Sequence, residues 1–147
     1  MAAQHRHSMI AALKKIVIPY LRENRFKGSF PHFRRLNDEH IDLITFQFNR
    51  YGGSFVVELA VCSTEGVTMS WGEKVLPNKV TAHDVNERIR LKDNKNDEED
   101  FWFQYEHAKR EAEFEEVASR VRRLLQVEDI GWIRDLLEKE IKNCTSF

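Results

Sequence analysis

A chain of 147 residues is long enough for one compact domain with a sizeable core and too short for two domains of ordinary size. Hydrophobic residues make up 41% and charged residues 32%, a composition that excludes intrinsic disorder. Lys and Arg total 23 against 24 for Asp and Glu, and the net charge of -1 removes the overall electrostatic case for binding nucleic acid or an anionic membrane.

Cysteine content and hydropathy predict the compartment. The chain has 2 cysteines, Cys62 and Cys144, which excludes a disulfide-stapled scaffold and is typical of a reducing environment. No apolar run approaches the roughly 18 residues of a membrane span, and Lys14 and Lys15 cut short the run that begins at Met9. We therefore expect a cytoplasmic protein whose residues 1–147 form a single domain.

The first predicted element is a helix. Residues 1–22 lack acidic side chains, as a mitochondrial presequence would, but their apolar spacing favours a structural, core-facing helix; the apolar residues are Ile10, Leu13, Val17 and Leu21. Pro19 is expected to kink or restart this helix, because proline lacks an amide donor and crowds the preceding turn. Asn24 is expected to end it, since asparagine tolerates the left-handed conformation that often follows a helix.

From Phe30 to Cys62 the apolar period changes to two, which predicts a meander of three strands. Gly52 and Gly53 suit a two-residue hairpin turn, because such turns need positive φ. With Tyr51 opposite Ser54, the predicted pairs are Ile44 with Val61, Phe46 with Leu59, Phe48 with Val57 and Gln47 with Glu58.

A similar turn is predicted at Asp38 and Glu39. It pairs Leu36 with Ile41, Arg35 with Asp42 and Phe33 with Ile44, so the apolar face continues across the first strand of the meander. Pro31 in that strand has no donor for a ladder bond, and we therefore expect an edge position.

The next segments alternate between loops and short strands. Thr64–Lys79 lacks a clear period and predicts a long connection that covers another surface, followed by a helix start with Thr81 as its cap. Arg88–Leu91 predicts a fourth strand, Lys92–Asp100 a solvated loop, and the aromatic segment Phe101–Tyr105 a fifth strand.

Two helices are predicted after Glu106. The first has an apolar stripe at helical spacing, formed by Phe114, Val117, Ala118, Val121, Leu124 and Leu125. The second is capped by Asp129 and has its apolar face at Ile130, Ile133, Leu137 and Ile141. The predicted fold is one α+β domain: a largely antiparallel, twisted sheet of about five strands, with the N-terminal helix and two C-terminal helices packed on one face.

Strand alternation divides this sheet into a core face toward the helices and an opposite, reverse face. The core face is predicted to contain Phe33, Ile44, Phe46, Val57, Leu59 and Val61. The reverse face is predicted to contain His32, Arg34, Thr45, Gln47, Glu58 and Cys62, with Arg88 and Arg90 from the fourth strand and with Phe30, Leu43, Val56 and Trp102.

The mixed composition of the reverse face suggests a binding site. Arginines, a carboxylate, an amide and aromatics compose a pocket for a small anionic or polar group; the candidates are Arg34, Gln47, Glu58, Arg88 and Arg90, flanked by Trp71 and Trp102. The alternative is an ordinary solvated face, on which Glu58 and Arg88 or Arg90 form a cross-strand ion pair of a few tenths of a kcal/mol.

Two other functions compete with binding. In an enzyme, Glu58 or His32 would act as general base beside an arginine that holds an anionic substrate. In a nucleic-acid binder, Arg120, Arg122 and Arg123 would contact phosphates, but acidic residues flank them on the same predicted helix, which favours a solvated helix face.

Metal and cofactor motifs are missing from the sequence. None of the 6 histidines lies in a ligand pattern, and the cysteines have no Cys-x-x-Cys partner. Gly52 and Gly53 lack the strand-to-helix context of a phosphate loop. We therefore predict neither a metal site nor a cofactor.

Several short motifs resemble the bacterial family known as domain of unknown function 4304. They are Leu21–Phe26, Phe33–Arg35, Ile44–Gln47, Phe55–Leu59, Arg88–Leu91 and Phe101–Trp102, and they cover nearly the whole chain. Asn24 departs from the family, which tends to have glycine there. The resemblance implies an α+β domain with no established activity.

The function predicted from these observations is a binding or interaction domain for a small polar ligand or a protein partner. Small size and near-neutral charge suggest, as a special case, an immunity-type protein that neutralises a toxin in the same cell. A homodimer that buries the reverse face is a further alternative.

Overall fold

A computed structural model describes residues 2–92 and 102–126. Helix α1 spans Ala2–Glu23 and continues through Pro19 without restarting. The left-handed residue that follows it is Arg25, with φ of 71°, and not Asn24 as predicted. Asn24 instead donates from Nδ2 to the carbonyl of Tyr20 at 2.8 Å, so the helix ends where expected but with a different cap.

Within the described residues, six strands form one antiparallel sheet, confirming the predicted α+β class. The strands are β1 Lys27–Ser29, β2 His32–Leu36, β3 Ile41–Phe48, β4 Ser54–Cys62, β7 Arg88–Arg90 and β8 Phe103–Gln104. Their order is β1-β2-β3-β4-β7, and β8 pairs with β4 beyond the end of β7. The strand β1 is absent from the prediction; it takes the edge, so β2 is not an edge strand and Pro31 lies in the turn between the two.

The register is correct for one predicted hairpin and wrong for the other. Between β2 and β3, Leu36 faces Ile41 and Arg35 faces Asp42, as predicted. Between β3 and β4, Thr45 rather than Gln47 faces Glu58, a shift of two residues. The turn is longer than expected because Asn49 closes it: its backbone N–H bonds to the carbonyl of Ser54, and its Oδ1 accepts from the N–H of Tyr51, both at 2.9 Å.

A shift of two residues preserves the faces of both strands, because side chains alternate with a period of two. All six residues predicted for the core face are at most 5% exposed and belong to the main hydrophobic core. Phe30 is an exception to the predicted reverse face: it stacks on Phe46 at 5.3 Å between ring centroids and packs against the main core.

The main core lies between the sheet and two helices. The second helix, α2, spans 111–126 and starts later than the predicted Glu106, because the N–H of Tyr105 still bonds to Gly53 beside β4. From the helices the core receives Met9, Leu13, Val17, Leu21, Phe114, Ala118, Val121 and Leu125. The predicted loop at 93–100 and the predicted helix from Asp129 lie outside the described residues.

The long connection after β4 is more ordered than predicted. It contains a small hairpin, β5 Val67–Thr68 with β6 Lys74–Val75, and a 3-10 helix at Ala82–Asp84. Thr81 precedes this helix as expected, and its backbone N–H donates to Oδ2 of Asp84 at 2.9 Å. The connection packs on the reverse face of the sheet and forms a second hydrophobic cluster there.

Candidate functional site

The second hydrophobic cluster changes the character of the reverse face. Its fully buried members are Ile41, Leu43, Ala60 and Cys62 from the sheet with Val80 and Ala82 from the connection. An open, solvated face is therefore not what this side of the sheet presents. The connection covers the part nearest Ile41 and Cys62 and leaves a polar region farther along the same strands.

That polar region is organised as one row across four strands. The registers place His32 opposite Thr45, Thr45 opposite Glu58, and Glu58 opposite Arg90. His32 Nδ1 lies 2.9 Å from Thr45 Oγ1, and Arg90 donates from Nε to Glu58 Oε1 at 3.3 Å. Thr45 is fully buried and Glu58 is only 6% exposed, so a charged pair is held in a largely buried part of the sheet.

Glu58 is the centre of the candidate residues. Thr45 and Arg90 are its direct cross-strand partners, whereas Gln47 and Arg88 occupy the diagonal positions, opposite Val56 and Ala60. Diagonal neighbours in a sheet lie about 7–8 Å apart, within reach of long side chains. Arg90 therefore lies directly beside Glu58, whereas Gln47 and Arg88 lie at opposite diagonals on either side of it. Both Gln47 and Arg88 are exposed.

Trp102 joins this group through Arg90. The guanidinium carbon of Arg90 lies 5.4 Å from the centroid of the Trp102 ring, a cation–π distance. Trp102 immediately precedes β8, and the pairing of Phe103 with Phe55 holds that strand beside the first half of β4. An aromatic ring, a guanidinium and a carboxylate are thus placed side by side.

Arg34 is separated from the other candidates. It faces Leu43, in the row that continues through Ala60 to Arg88 three strands away, roughly 14 Å at ordinary strand spacing. Val80 packs over this row, and Arg34 donates to its carbonyl from Nε at 3.2 Å and from Nη2 at 3.0 Å. Arg34 is therefore held by the connection, in a different row from Glu58.

Trp71 is also remote from Glu58. Its ring is 68% exposed, and Nε1 donates to Glu73 Oε2 at 3.0 Å within the same loop. It lines a cleft of about 320 Å³ together with Cys62 and Asp84, beside the end of β4 that lies farthest from Trp102. The two tryptophans flank opposite ends of the strand rather than one pocket.

The electrostatics of the row centre on His32. Burial lowers the pKa of its imidazole below the usual value, and the nearby charges of His83 and Arg34 lower it further, whereas Asp84 acts in the opposite direction. The His83 ring packs edge-on against it, with 5.7 Å between centroids. Thr45 stands between His32 and Glu58, which are two strand spacings or about 10 Å apart, so they do not form one acid–base pair.

A buried polar cluster that the sequence reasoning did not select as a site lies at the β2–β3 turn. Asp42 is fully buried; it accepts from Arg35 Nε at 2.7 Å and Asn37 Nδ2 at 2.9 Å, and His40 Nε2 lies 3.1 Å from its second oxygen. The sequence did predict that Arg35 faces Asp42 across the hairpin, and this pairing could have pointed to the cluster. The arrangement ties the hairpin together.

The basic residues of α2 do not form one exposed patch. Arg120 lies over the ring of Phe103, 5.9 Å from its centroid, and Arg123 is the exposed member of the three. On the same helix, Glu115 bonds to Lys15 of α1 at 3.3 Å. Within 2–92 and 102–126, no group of three or more His, Cys, Asp or Glu side chains is arranged to hold a metal ion.

Comparison with known proteins identifies the family. The chain belongs to the family described as domain of unknown function (DUF4304), whose model matches residues 17–133. No curated protein and no solved structure matches the chain. Among the described residues, no helix is both long and apolar enough to cross a membrane.

Proposed function

We propose that this member of the DUF4304 family is a binding domain whose recognition surface is the Glu58 site, defined as Gln47, Glu58, Arg88, Arg90 and Trp102. The observation that carries the proposal is the ion pair of Glu58 and Arg90, whose side chains are 8% and 26% exposed. Removing two charges from water costs several kcal/mol per ion, and such a pair is weak evidence for stability. A pair that adds little stability and has exposed polar residues on either side fits a role in recognition.

The chemistry of the site favours a polar or anionic group as ligand. Arg88 and Gln47 are exposed on either side of Glu58 and supply N–H donors, and Arg guanidinium matches the planar geometry of carboxylate and phosphate. The ring of Trp102 beside Arg90 offers an apolar surface. The group belongs to a small ligand or to a side chain of a protein partner, and a toxin neutralised in the same cell is the special case of the latter.

A thermal-shift screen with inorganic phosphate, sulfate, citrate and nucleoside monophosphates tests the proposal. A ligand of the Glu58 site raises the melting temperature of the wild-type protein and loses about tenfold in affinity in Arg88→Ala, because a charge-assisted contact contributes of the order of 1.4 kcal/mol. Arg123→Ala, which removes an exposed arginine on α2, is the matched control. Equal affinity in Arg88→Ala and wild type would remove the site assignment.

A protein partner is tested with the same variants. The charge-reversing Glu58→Lys variant breaks the pair with Arg90 inside the interface, whereas Arg88→Ala removes only a rim charge. Loss of a residue at the centre of an interface typically costs about 2 kcal/mol or more of binding energy, about 30-fold or more in Kd. Circular dichroism of each variant establishes that the fold is retained before its affinity is compared.

An enzyme is the second candidate, and one observation favours it. The lowered pKa of His32 keeps its imidazole neutral near neutral pH, the form that accepts a proton as general base. Purified protein assayed against generic phosphatase, esterase and nuclease substrates distinguishes the two hypotheses. Turnover that disappears in His32→Gln or Glu58→Gln supports catalysis, whereas turnover that persists in both variants assigns it to a contaminant or another site.

A further inference from the structure

We infer that a second surface, separate from the Glu58 site and lined in part by Arg34, binds an acidic peptide segment of a partner protein through alternating carboxylate and apolar side chains. This cationic groove has a volume of about 630 Å³. Its lining residues are Arg25, Lys27, Arg34, Leu36, Ile41, Pro77 and Asn78. The inference goes beyond the function proposed for Glu58 and uses none of the five residues of that site.

Charge is the first argument for an anionic partner. Three of the lining residues are cationic and none is acidic. Lys27 and Arg34 are direct cross-strand partners between β1 and β2, a position in which two like charges destabilise a sheet. An anion bound between them converts this repulsion into attraction, so the groove is complementary to carboxylates before any ligand arrives.

Two of the three cationic residues of the groove are available to a ligand. Arg34 is held by two hydrogen bonds to the carbonyl of Val80, which fixes its guanidinium at the inner wall. Arg25 and Lys27 are exposed, and within the described part of the chain no side-chain hydrogen bond or ion pair holds either of them. Arg25, Lys27 and Arg34 therefore line the same groove, with only Arg34 held in place by hydrogen bonds.

The backbone at Arg25 adds an independent observation. Its φ of 71° lies in the left-handed region, which costs an ordinary residue roughly 1–2 kcal/mol and which glycine or asparagine adopts more readily. Asn24 is the adjacent residue and would suit that position. The chain instead has arginine there, and this arginine lines the groove.

The floor of the groove explains why a peptide fits better than a polyanion. Leu36 is 67% exposed, and Pro77 and the buried Ile41 lie beside it. A nucleic acid backbone would leave the Leu36 side chain in water, and an isolated carboxylate would leave most of the groove empty. A segment with a leucine or phenylalanine between acidic residues covers the floor and reaches the cations.

The edge of β1 is closed to a different mode of peptide binding. Arg22 of α1 donates to the carbonyls of Phe26 at 3.4 Å and Gly28 at 2.8 Å. Its guanidinium therefore occupies acceptors that an added strand would need. The peptide is expected to lie across the reverse face, with its side chains in the groove.

The test titrates full-length protein with a peptide of alternating glutamate and leucine and, separately, its glutamine analogue, followed by two-dimensional NMR. The acidic peptide is expected to shift the amide signals of Lys27, Arg34 and Leu36, and the glutamine analogue to bind about tenfold more weakly. Affinity should fall between about 20 mM and about 300 mM salt, as for any contact between exposed charges. No shifts at millimolar peptide, or shifts spread over all basic surfaces, would overturn the inference.

Three variants localise the binding. Lys27→Glu and Leu36→Ser should each weaken the acidic peptide about tenfold, the one through charge and the other through apolar contact. Arg123→Glu is the matched control, because it reverses an exposed arginine on α2, outside both the groove and the Glu58 site. Equal loss of peptide affinity in Lys27→Glu and Arg123→Glu would overturn the inference. Tight binding of dodecanoate or an oligonucleotide at the groove, without binding of the peptide, would overturn it as well.

Stability of the free protein provides a readout that needs no ligand. Lys27→Glu places a carboxylate opposite Arg34, so the urea midpoint of this variant should rise above that of the wild type while peptide binding falls. A lower midpoint would contradict the like-charge repulsion on which the groove depends. Because Lys27 and Leu36 lie outside the Glu58 site, failure here leaves the proposed function unaffected, and the converse also holds.

Discussion

Arg35 donates from Nε to Oδ2 of Asp42 at 2.7 Å, and the two side chains are 8% and 0% exposed. They are cross-strand partners in the β2–β3 hairpin, on the core face of the sheet. The guanidinium of Arg35 also stacks on Phe26 at 4.5 Å, which links the hairpin to the segment that follows α1. The pair therefore joins three consecutive parts of the chain at one buried point.

Asp42→Asn should destabilise the protein by about 3–5 kcal/mol, the usual cost of breaking a buried ion pair from one side. The loss is a large fraction of the 5–15 kcal/mol that stabilises an ordinary domain, so urea unfolding followed by circular dichroism will detect it. The double variant Arg35→Met with Asp42→Leu should recover most of the loss, because it leaves neither charge buried. A cost below about 1 kcal/mol for Asp42→Asn would show that the pair contributes little.

The lowered pKa of His32 predicts that the folded protein loses stability at acidic pH. Burial, followed by His83 and Arg34, lowers its pKa in the folded protein, so the unfolded chain binds the proton more readily. The stabilisation is complete above the ordinary imidazole pKa of about 6.5 and is lost as the pH falls through the lower, folded value. Urea midpoints measured across this range should decrease less in His32→Gln than in the wild type.

A substitution of His83 tests the cause of the lowered His32 pKa. His83→Gln removes a positive charge that opposes protonation of His32 while leaving the burial of His32 in place. NMR titration should therefore place the pKa of His32 closer to its ordinary value in this variant. An unchanged His32 titration in His83→Gln would exclude the electrostatic contact between the two rings.

Gly66 and Gly72 form a matched pair for testing the connection. Both have φ of 94°, so alanine carries similar backbone strain at either position, of the order of 1 kcal/mol. A Cβ at Gly66 would collide with the carbonyl oxygen of Val75, whereas one at Gly72 meets nothing within 4 Å. Gly66→Ala should consequently be the more destabilising substitution, because β5 and β6 must separate to accommodate it.

The same two glycine variants test whether the connection shields Cys62 from solvent. Cys62 is 4% exposed beneath it, so its thiol should react slowly with an Ellman-type reagent. In a Cys144→Ser background, Gly66→Ala should increase the reaction rate of Cys62 and Gly72→Ala should not. Similar rates in both variants would mean that the β5–β6 hairpin does not protect the second cluster.

Alternation along β8 can be tested with neighbouring residues. Phe103 is 1% exposed and stacks on Phe55 with 5.3 Å between centroids, whereas Gln104 is exposed. Phe103→Ala should cost about 3–5 kcal/mol in urea unfolding, as for other buried aromatics. Gln104→Ala should remain within about 0.5 kcal/mol of the wild type, and equal effects would contradict the docking of this segment on β4.

Much of the site was predictable because alternation is a local property. Gln47 and Glu58 are on the reverse face in both the predicted and the observed register, since the error of two residues leaves the period of two intact. The partner of Glu58 was not predictable, because Asn49 lengthens the turn through hydrogen bonds that the glycine pair does not reveal. The sequence also grouped Arg34 with Glu58, because both lie on the reverse face. Alternation does not show that Arg34 is bonded to Val80 of the connection.

By itself the sequence determined which side chains of each strand share a face, because successive residues of a strand point to opposite faces. Tertiary structure alone decided that the reverse face is covered at one end, since Val80 and Ala82 reach Leu43 and Ala60 only after the connection folds back. It likewise decided that Arg34 lies beside Lys27 and away from Glu58. Pairing of distant segments depends on contacts that no local period contains.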